Sequence, residues 1–337
     1  MNDSVAKMTV VLVLTWLLLA VAALHVGAVD VDVWRAVSLR IWGAASAMSP
    51  ASLDWQIISE IRLPRVLLAS LVGASLACAG AAMQGLLRNP LAEPGLIGVS
   101  AGAALAAVLV LYFGLVGFHS SMLPLSAVFG SCVGLVLVLM VAGPNPSITT
   151  LILAGVAVSS ALGGSIALAL SFAPSPFAMQ EISFWLMGSV AHRDIAQVAM
   201  ILPFAVAGFG LMALNGRFLR ALSLGDVAAQ GLGFRLPVRR ALVMVGVALL
   251  TGSAVAVAGI VGFVGLMVPH MVRFVLGPDP TRLLLYSALV GASFVLAADI
   301  AVQLLSPARE LKLGVLMSLL GAPFFLVLLR HRRGVEE

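Results

Sequence analysis

Hydrophobic residues in this chain gather in long runs, separated by short knots of charge, proline and tryptophan. The runs fall at 8–28, 63–87, 95–117, 123–142, 148–172, 195–214, 241–258, 262–276, 283–305 and 313–329. About 20 consecutive apolar residues let a helix cross the ~30 Å hydrocarbon core of a bilayer. The pattern therefore predicts an all-α polytopic membrane protein with about ten transmembrane helices, in a single transmembrane domain over 1–337. The run at 262–276 is the weak member, short for a full crossing. The first run follows Lys7, as the core of a secretion signal would. Its apolar part exceeds the roughly 7–15 residues of such a core and no cleavage site follows, so it is expected to remain as a span.

The polar knots refine this picture. Residues 29–60 hold Trp34, Arg35, Arg40, Trp42 and Trp55, a composition suited to the headgroup region and predicted to form an interfacial loop with short helices. Residues 173–194 are amphipathic and predict a short helix on the membrane surface. GPNPS at 143–147 is a proline-broken turn. The segment 215–240 carries Arg217, Arg220, Arg235, Arg239 and Arg240 around Asp226. From charge alone it reads equally as a solvated cytoplasmic loop or as a short helix seated in a groove of a partner.

Composition agrees. The 337 residues are 61% apolar and 10% charged, against about 25% charged in soluble domains. Apolar runs this continuous exclude the alternating ten-residue strands of an outer-membrane barrel. The net charge of +5, from 19 Lys and Arg against 14 Asp and Glu, needs no nucleic acid. Membrane proteins concentrate Lys and Arg in cytoplasmic loops, and placing both termini in the cytoplasm puts the larger share of the positive charge there. Cys78 and Cys132 lie in apolar runs and read as packing residues.

The stretch 62–102 is the one around which the rest is organised. It opens on two arginines, carries small residues at every fourth position (Gly73, Ala77, Ala81, Gly85) and ends in RNPLAEPG. That spacing lets a neighbouring helix backbone lie close in lipid, so this span is expected inside the bundle, lining a path with a docking surface at one end and a gate at the other. No phosphate-binding loop occurs. The chain is therefore not itself an enzyme: any ATP and Mg belong to a partner ATPase, and no cofactor is expected in this chain. For an ion-coupled secondary transporter the chief intramembrane candidate is Asp299, but it lies near a span end and reads rather as a helix-end residue bonded to nearby backbone. His119 and His192 fall in outer loops, either as haem ligands or as ordinary polar surface residues.

The tract 226–237, DVAAQGLGFRLP, resembles the coupling-loop motif of ABC importer permeases. RLPR, GAAMQGLLRNPLAEPGLIGVSAGA, GFVGLMVPHMVRFVLGPDPTR, LAADI and ELKLGVLMSLLGAPFFLVLL extend the likeness over about 62–330. Together they resemble the permease family that imports ferric siderophores, haem and cobalamin, with the type II ABC importer permease fold. The resemblance implies a homodimer with the path between subunits, in the bacterial inner membrane among lipid. A cytoplasmic ATPase dimer would dock on a coupling loop at about 215–240 through Arg217, Arg220, Asp226, Ala228, Ala229, Gly231 and Arg235. A periplasmic binding protein would dock outside. There Arg62 and Arg65 match the family's docking arginines, while the family's further arginine is replaced by Gln303, with Arg309 as its substitute. Asn89 and Leu91 match the cytoplasmic gate, with Ser147, Thr149 and Thr150 as a second constriction. His270 belongs to a family motif and carries no haem signal. Haem is the expected cargo, because the chain resembles single-gene permeases that pair with themselves. Ferric siderophore and cobalamin remain alternatives.

Overall fold

In a computed structural model, the described residues are 2–42, 50–144, 146–306 and 311–333, and among them there is no strand. The predicted apolar runs form helices in the predicted order: α1 (Asn2–His25), then, after the short α2 (Val33–Ile41) and α3 (Pro50–Gln56), α4 (Leu63–Leu86), α5 (Val99–Tyr112), α6 (Met122–Ala142) and α7 (Ile148–Ser171). The surface helix expected within 173–194 is α8 (Pro176–Leu186). Then follow α9 (Ile195–Leu222), the short α10 (Asp226–Gly231), α11 (Leu236–Ala258), α12 (Val264–Leu276), α13 (Pro280–Leu305) and α14 (Leu313–Arg333). Among the described residues, seven helical stretches are long and apolar enough to cross a membrane, while α5, α12 and the apolar part of α14 are shorter.

Two boundaries differ from the sequence reading. Helix α3 does not end in a loop; a π-helical segment, Ile57–Arg62, carries it straight into α4. Helix α9 runs to Leu222 rather than stopping near 214. Arg217 and Arg220 therefore ride on a helix that projects about 12 Å beyond its apolar run, at 1.5 Å per residue. The coupling segment shrinks to the residues between Leu222 and Leu236.

Helix α4 is the centre of the bundle, packed by α13, α11, α12 and α9. Its small-residue face works through backbone contact. A Cβ added at Gly73 would lie 2.0 Å from the Gly291 carbonyl oxygen of α13, and one at Gly80 would lie 1.8 Å from the Gly265 carbonyl oxygen of α12. Only glycine permits either approach. Helix α1 lies at the periphery, joined to α4 where Trp16 Nε1 donates to Ser70 Oγ at 2.9 Å.

Helices α5 and α12 are short because the chain before each re-enters the bundle as irregular backbone. A Cβ at Gly265 would sit 2.9 Å from Leu76 O and 3.1 Å from Pro94 Cδ. Pro94 is thus level with the middle of α4, about 9–15 Å back from the end of that helix. Pro94–Ile97 is a single 3-10 turn, and interrupted backbone of this kind is tolerated at such depth only where protein or a cavity covers it. Here both segments are covered by α4 and by each other.

Candidate functional site

Two arginines open α4 at what is read as its outer end, and both are already engaged. Arg62 is 5% exposed. Its guanidinium donates to Leu24 O at 2.5 Å and to Val29 O, supplying donors to carbonyls that the end of α1 leaves without helical partners. In this geometry the Arg62 guanidinium is occupied by carbonyls of its own chain. Arg65 makes a two-pronged pair with Asp299 of α13, Nε to Oδ2 at 2.8 Å and Nη2 to Oδ1 at 2.9 Å. Asp299 is 2% exposed against 21% for the Arg65 side chain, and it also accepts from Gln303 Nε2 at 3.0 Å. So Asp299 is neither bonded to nearby backbone nor left unpaired: its partner is a side chain from another helix. Arg65 and Gln303 line a cavity of about 210 Å³ with Ser189, His192 and Ser306. Arg309 lies outside the described residues.

The histidines do not converge. His119 Nδ1 accepts from the Ser121 amide at 3.2 Å, a local turn, and His192 lines the outer cavity. Among the described residues no group of three or more His, Cys, Asp or Glu could hold a metal ion.

At mid-depth the structure places a carboxyl from the RNPLAEPG segment to which the sequence reading gave no role. Glu93, in the re-entrant segment before α5, lines a cavity of about 130 Å³ with Leu76, Ser100, Val255 and Phe263. Phe263, from the second re-entrant segment, holds a left-handed backbone with φ 66°, a conformation that a bulky residue adopts only where its surroundings impose it. The prolines flanking this motif, Pro90 and Pro94, were the available signal for irregular chain. Its depth was not legible.

At the inner end, α4 stops at the predicted turn. Arg88 takes a left-handed backbone with φ 51°, and the Asn89 amide donates back to Gln84 O at 3.2 Å, a helix ending usually given to glycine. The Asn89 side chain accepts the Leu91 amide at 2.9 Å, closing the turn, and Leu91 is exposed. Ser147 caps α7, accepting from the Thr150 amide at 3.1 Å and sharing a hydrogen bond with Thr150 Oγ1 at 2.8 Å. Thr149 is exposed beside it. Ser147 lines a cavity of about 200 Å³ with Leu86 and Leu87 from the end of α4 and with Arg240 and Met244 of α11, whereas Asn89 and Leu91 are not among its lining residues.

The coupling tract forms a helix, α10, whose anchor is Ala229, fully buried. Phe234 meets Phe218 of α9 edge-on at 5.7 Å. Leu224, Val227 and Leu232 point outward, Val227 at 84% exposure, and Gly231 and Arg235 are exposed while Ala228 is half-buried. Asp226 bonds Arg240 at 2.7 Å and lies 3.6 Å from Arg88. Arg220 is exposed as well, with a side chain 57% accessible. It pairs with Asp279, the N-cap of α13, and Arg217 is likewise exposed on α9. Burial alone would raise the Asp279 carboxyl, but the hydrogen bond and charge of Arg220 and the amides of Thr281 and Arg282 outweigh it and hold it below the ordinary carboxylate range.

Comparison with known proteins bears directly on this arrangement. Residues 12–331 match the model of the FecCD transport family. The hemin transport system permease HmuU of Yersinia pestis is 34% identical over 96% of this chain and 96% of its own length. The vitamin B12 import system permease BtuC of Vibrio cholerae is 39% identical over 83% and 84%. A solved transporter described as of the metal-chelate ABC type, in an inward-facing conformation, superposes with a TM-score of 0.84 at 30% identity, covering 97% of this chain and 99% of that one.

Proposed function

This chain belongs to the FecCD transport family, and from that premise we propose that it forms the translocation path for haem delivered by a periplasmic binding protein. It is the permease of a type II ABC importer, an inner-membrane subunit whose ATPase is a separate chain. That membership sets aside an ion-coupled secondary transporter. In our reading two copies pair around the path, with both termini in the cytoplasm. The ATPase dimer engages α10 and its flanks through Leu224, Val227 and Leu232, with Arg217 and Arg235 beside them. Binding of ATP draws the two α10 helices together and rocks the spans. Cargo then descends past Glu93 to the inner constriction at Asn89, Leu91, Ser147, Thr149 and Thr150.

Outside, Arg65 is the arginine that reaches the binding protein, because part of its side chain remains exposed at the rim of the outer cavity. Arg62 orders the end of α1 beneath it, and Arg309 is the proposed second contact. A buried guanidinium satisfied by carbonyls gives little to an interface; the Arg65 fork is held by Asp299 through Nε and Nη2, so a carboxylate of the binding protein would meet its remaining edge.

The observation that carries the permease mechanism is the short helix α10, with apolar side chains turned outward and its first residue ion-paired to the gate turn. For haem, the support is the hemin permease that this chain matches over nearly its whole length. Ferric siderophore and cobalamin are the alternative cargoes. The partner binding protein, purified and titrated with haem, is expected to give a Soret band and saturable binding. Saturation by cobalamin or a ferric siderophore, with none by haem, rejects haem as cargo.

A further inference from the structure

One carboxylate at the inner end joins three parts of the molecule that neither docking nor constriction requires to be joined. Asp226 is the first residue of α10. Its Oδ2 accepts from Arg240 Nη2 at 2.7 Å, and Arg240 lines the inner cavity with Ser147. Its Oδ1 faces Arg88 Nη2 at 3.6 Å, and Arg88 belongs to the turn that carries Asn89 and Leu91. Arg88 reaches Asp226 from a left-handed backbone, φ 51°, which is unfavourable for any residue with a Cβ and is why glycine usually ends a helix this way. Glycine there would ease the turn and lose the ion pair.

Stability does not explain the arrangement. The Arg88 and Asp226 side chains are each 41% exposed, and ion pairs at such exposure contribute little to folding. What the arrangement does fix is distance. Helix α10 cannot shift away from the end of α4 without breaking the Arg88 contact or drawing the gate turn with it.

We propose that Asp226 is a positioning residue that ties the docking helix to the inner gate, so that displacement of α10 by the partner ATPase moves the turn bearing Asn89 and Leu91. This rests on the reading of α10 as the ATPase docking segment. Arg88 transmits the movement to the turn, and Arg240 transmits it to the cavity wall beside Ser147.

The test uses the permease assembled with its ATPase in nanodiscs, with Cys78→Ala, Cys132→Ala and Leu91→Cys. The probe is the rate at which a charged maleimide labels position 91, with and without ATP plus vanadate, compared at equal ATPase occupancy. In this parent, nucleotide is expected to change the labelling rate by about fivefold or more, the lower end of ordinary allosteric coupling. Asp226→Asn and Arg88→Gln are each expected to bring that ratio close to one, and Asp226→Glu to restore it. If Asp226→Asn weakens ATPase binding, Arg88→Gln, which lies off α10, carries the test. A nucleotide response in Arg88→Gln equal to the parent overturns the proposal. A parent that binds no ATPase overturns the docking assignment instead, and the occupancy measurement tells the two failures apart.

Discussion

Replacing Arg65 by alanine separates two consequences that the outer arginines could have. Asp299 is 2% exposed, and in the variant it keeps the Gln303 amide, at 3.0 Å. Breaking a buried ion pair by removing one member costs about 3–5 kcal/mol. Because the Arg65 side chain is itself 21% exposed, the lower figure applies, about 3 kcal/mol, or roughly a hundredfold in the folding equilibrium. Asp299→Asn in the same background removes the stranded charge and is expected to recover most of that loss, so the two effects are strongly non-additive. The assay is reversible unfolding in mixed detergent micelles, followed by tryptophan fluorescence, for both single variants and the double. Binding-protein affinity is measured on the same samples in nanodiscs. Arg65→Ala is expected to weaken docking as well as folding, whereas Asp299→Asn leaves docking intact because it frees the guanidinium. If Arg65→Ala unfolds within about 0.5 kcal/mol of the parent, a surface-substitution value, the ion pair does not hold α4 to α13 and the reasoning fails.

Other outcomes follow from the same contacts. Gly73→Leu places side-chain atoms where the Gly291 carbonyl lies 2.0 Å from the first of them; little folded protein is expected on size-exclusion chromatography, while Gly163→Ala, with nothing within 4 Å of an added Cβ, elutes as the parent. Arg62→Gln leaves the Leu24 and Val29 carbonyls short of donors and is expected to speed hydrogen exchange at the end of α1 without the loss of docking seen for Arg65→Ala; equal docking losses would return Arg62 to the interface. The Asp279 carboxyl is depressed from its usual 3.8 in the folded state, so the stability it contributes is fully present above that value and is lost as pH falls through the lower folded value. Arg220→Gln should therefore leave stability flat between pH 5 and 8 and flatten the acid limb relative to the parent.

Much of the fold was legible because lipid imposes length: the apolar runs became helices in the predicted order, including the short 262–276 run, which is α12. The fourfold spacing of small residues correctly predicted a buried span, since Gly73 meets the backbone of α13 and Ala77 and Ala81 are buried. What failed was position in space. Arg65 and Asp299 are 234 residues apart, and no local pattern pairs them. Helix α9 outran its apolar run because polar residues at a helix end stay helical when they find partners, as Arg220 does on Asp279. Glu93 was given no role because the direction of the chain after a proline cannot be read from sequence. Only packing against Gly265 sets its depth. The coupling tract was recognisable as a motif, yet the ion pair from Asp226 to Arg88 needed the fold to bring residues 88 and 226 together.

The central claim is that this permease moves haem only when its ATPase works. Proteoliposomes holding the permease, its ATPase and, on the outer face, haem-loaded binding protein test it directly through haem accumulated in the lumen. Accumulation should require internal ATP, stop with vanadate and continue when a protonophore collapses the proton gradient. Accumulation that ignores ATP and disappears with the gradient would contradict the account.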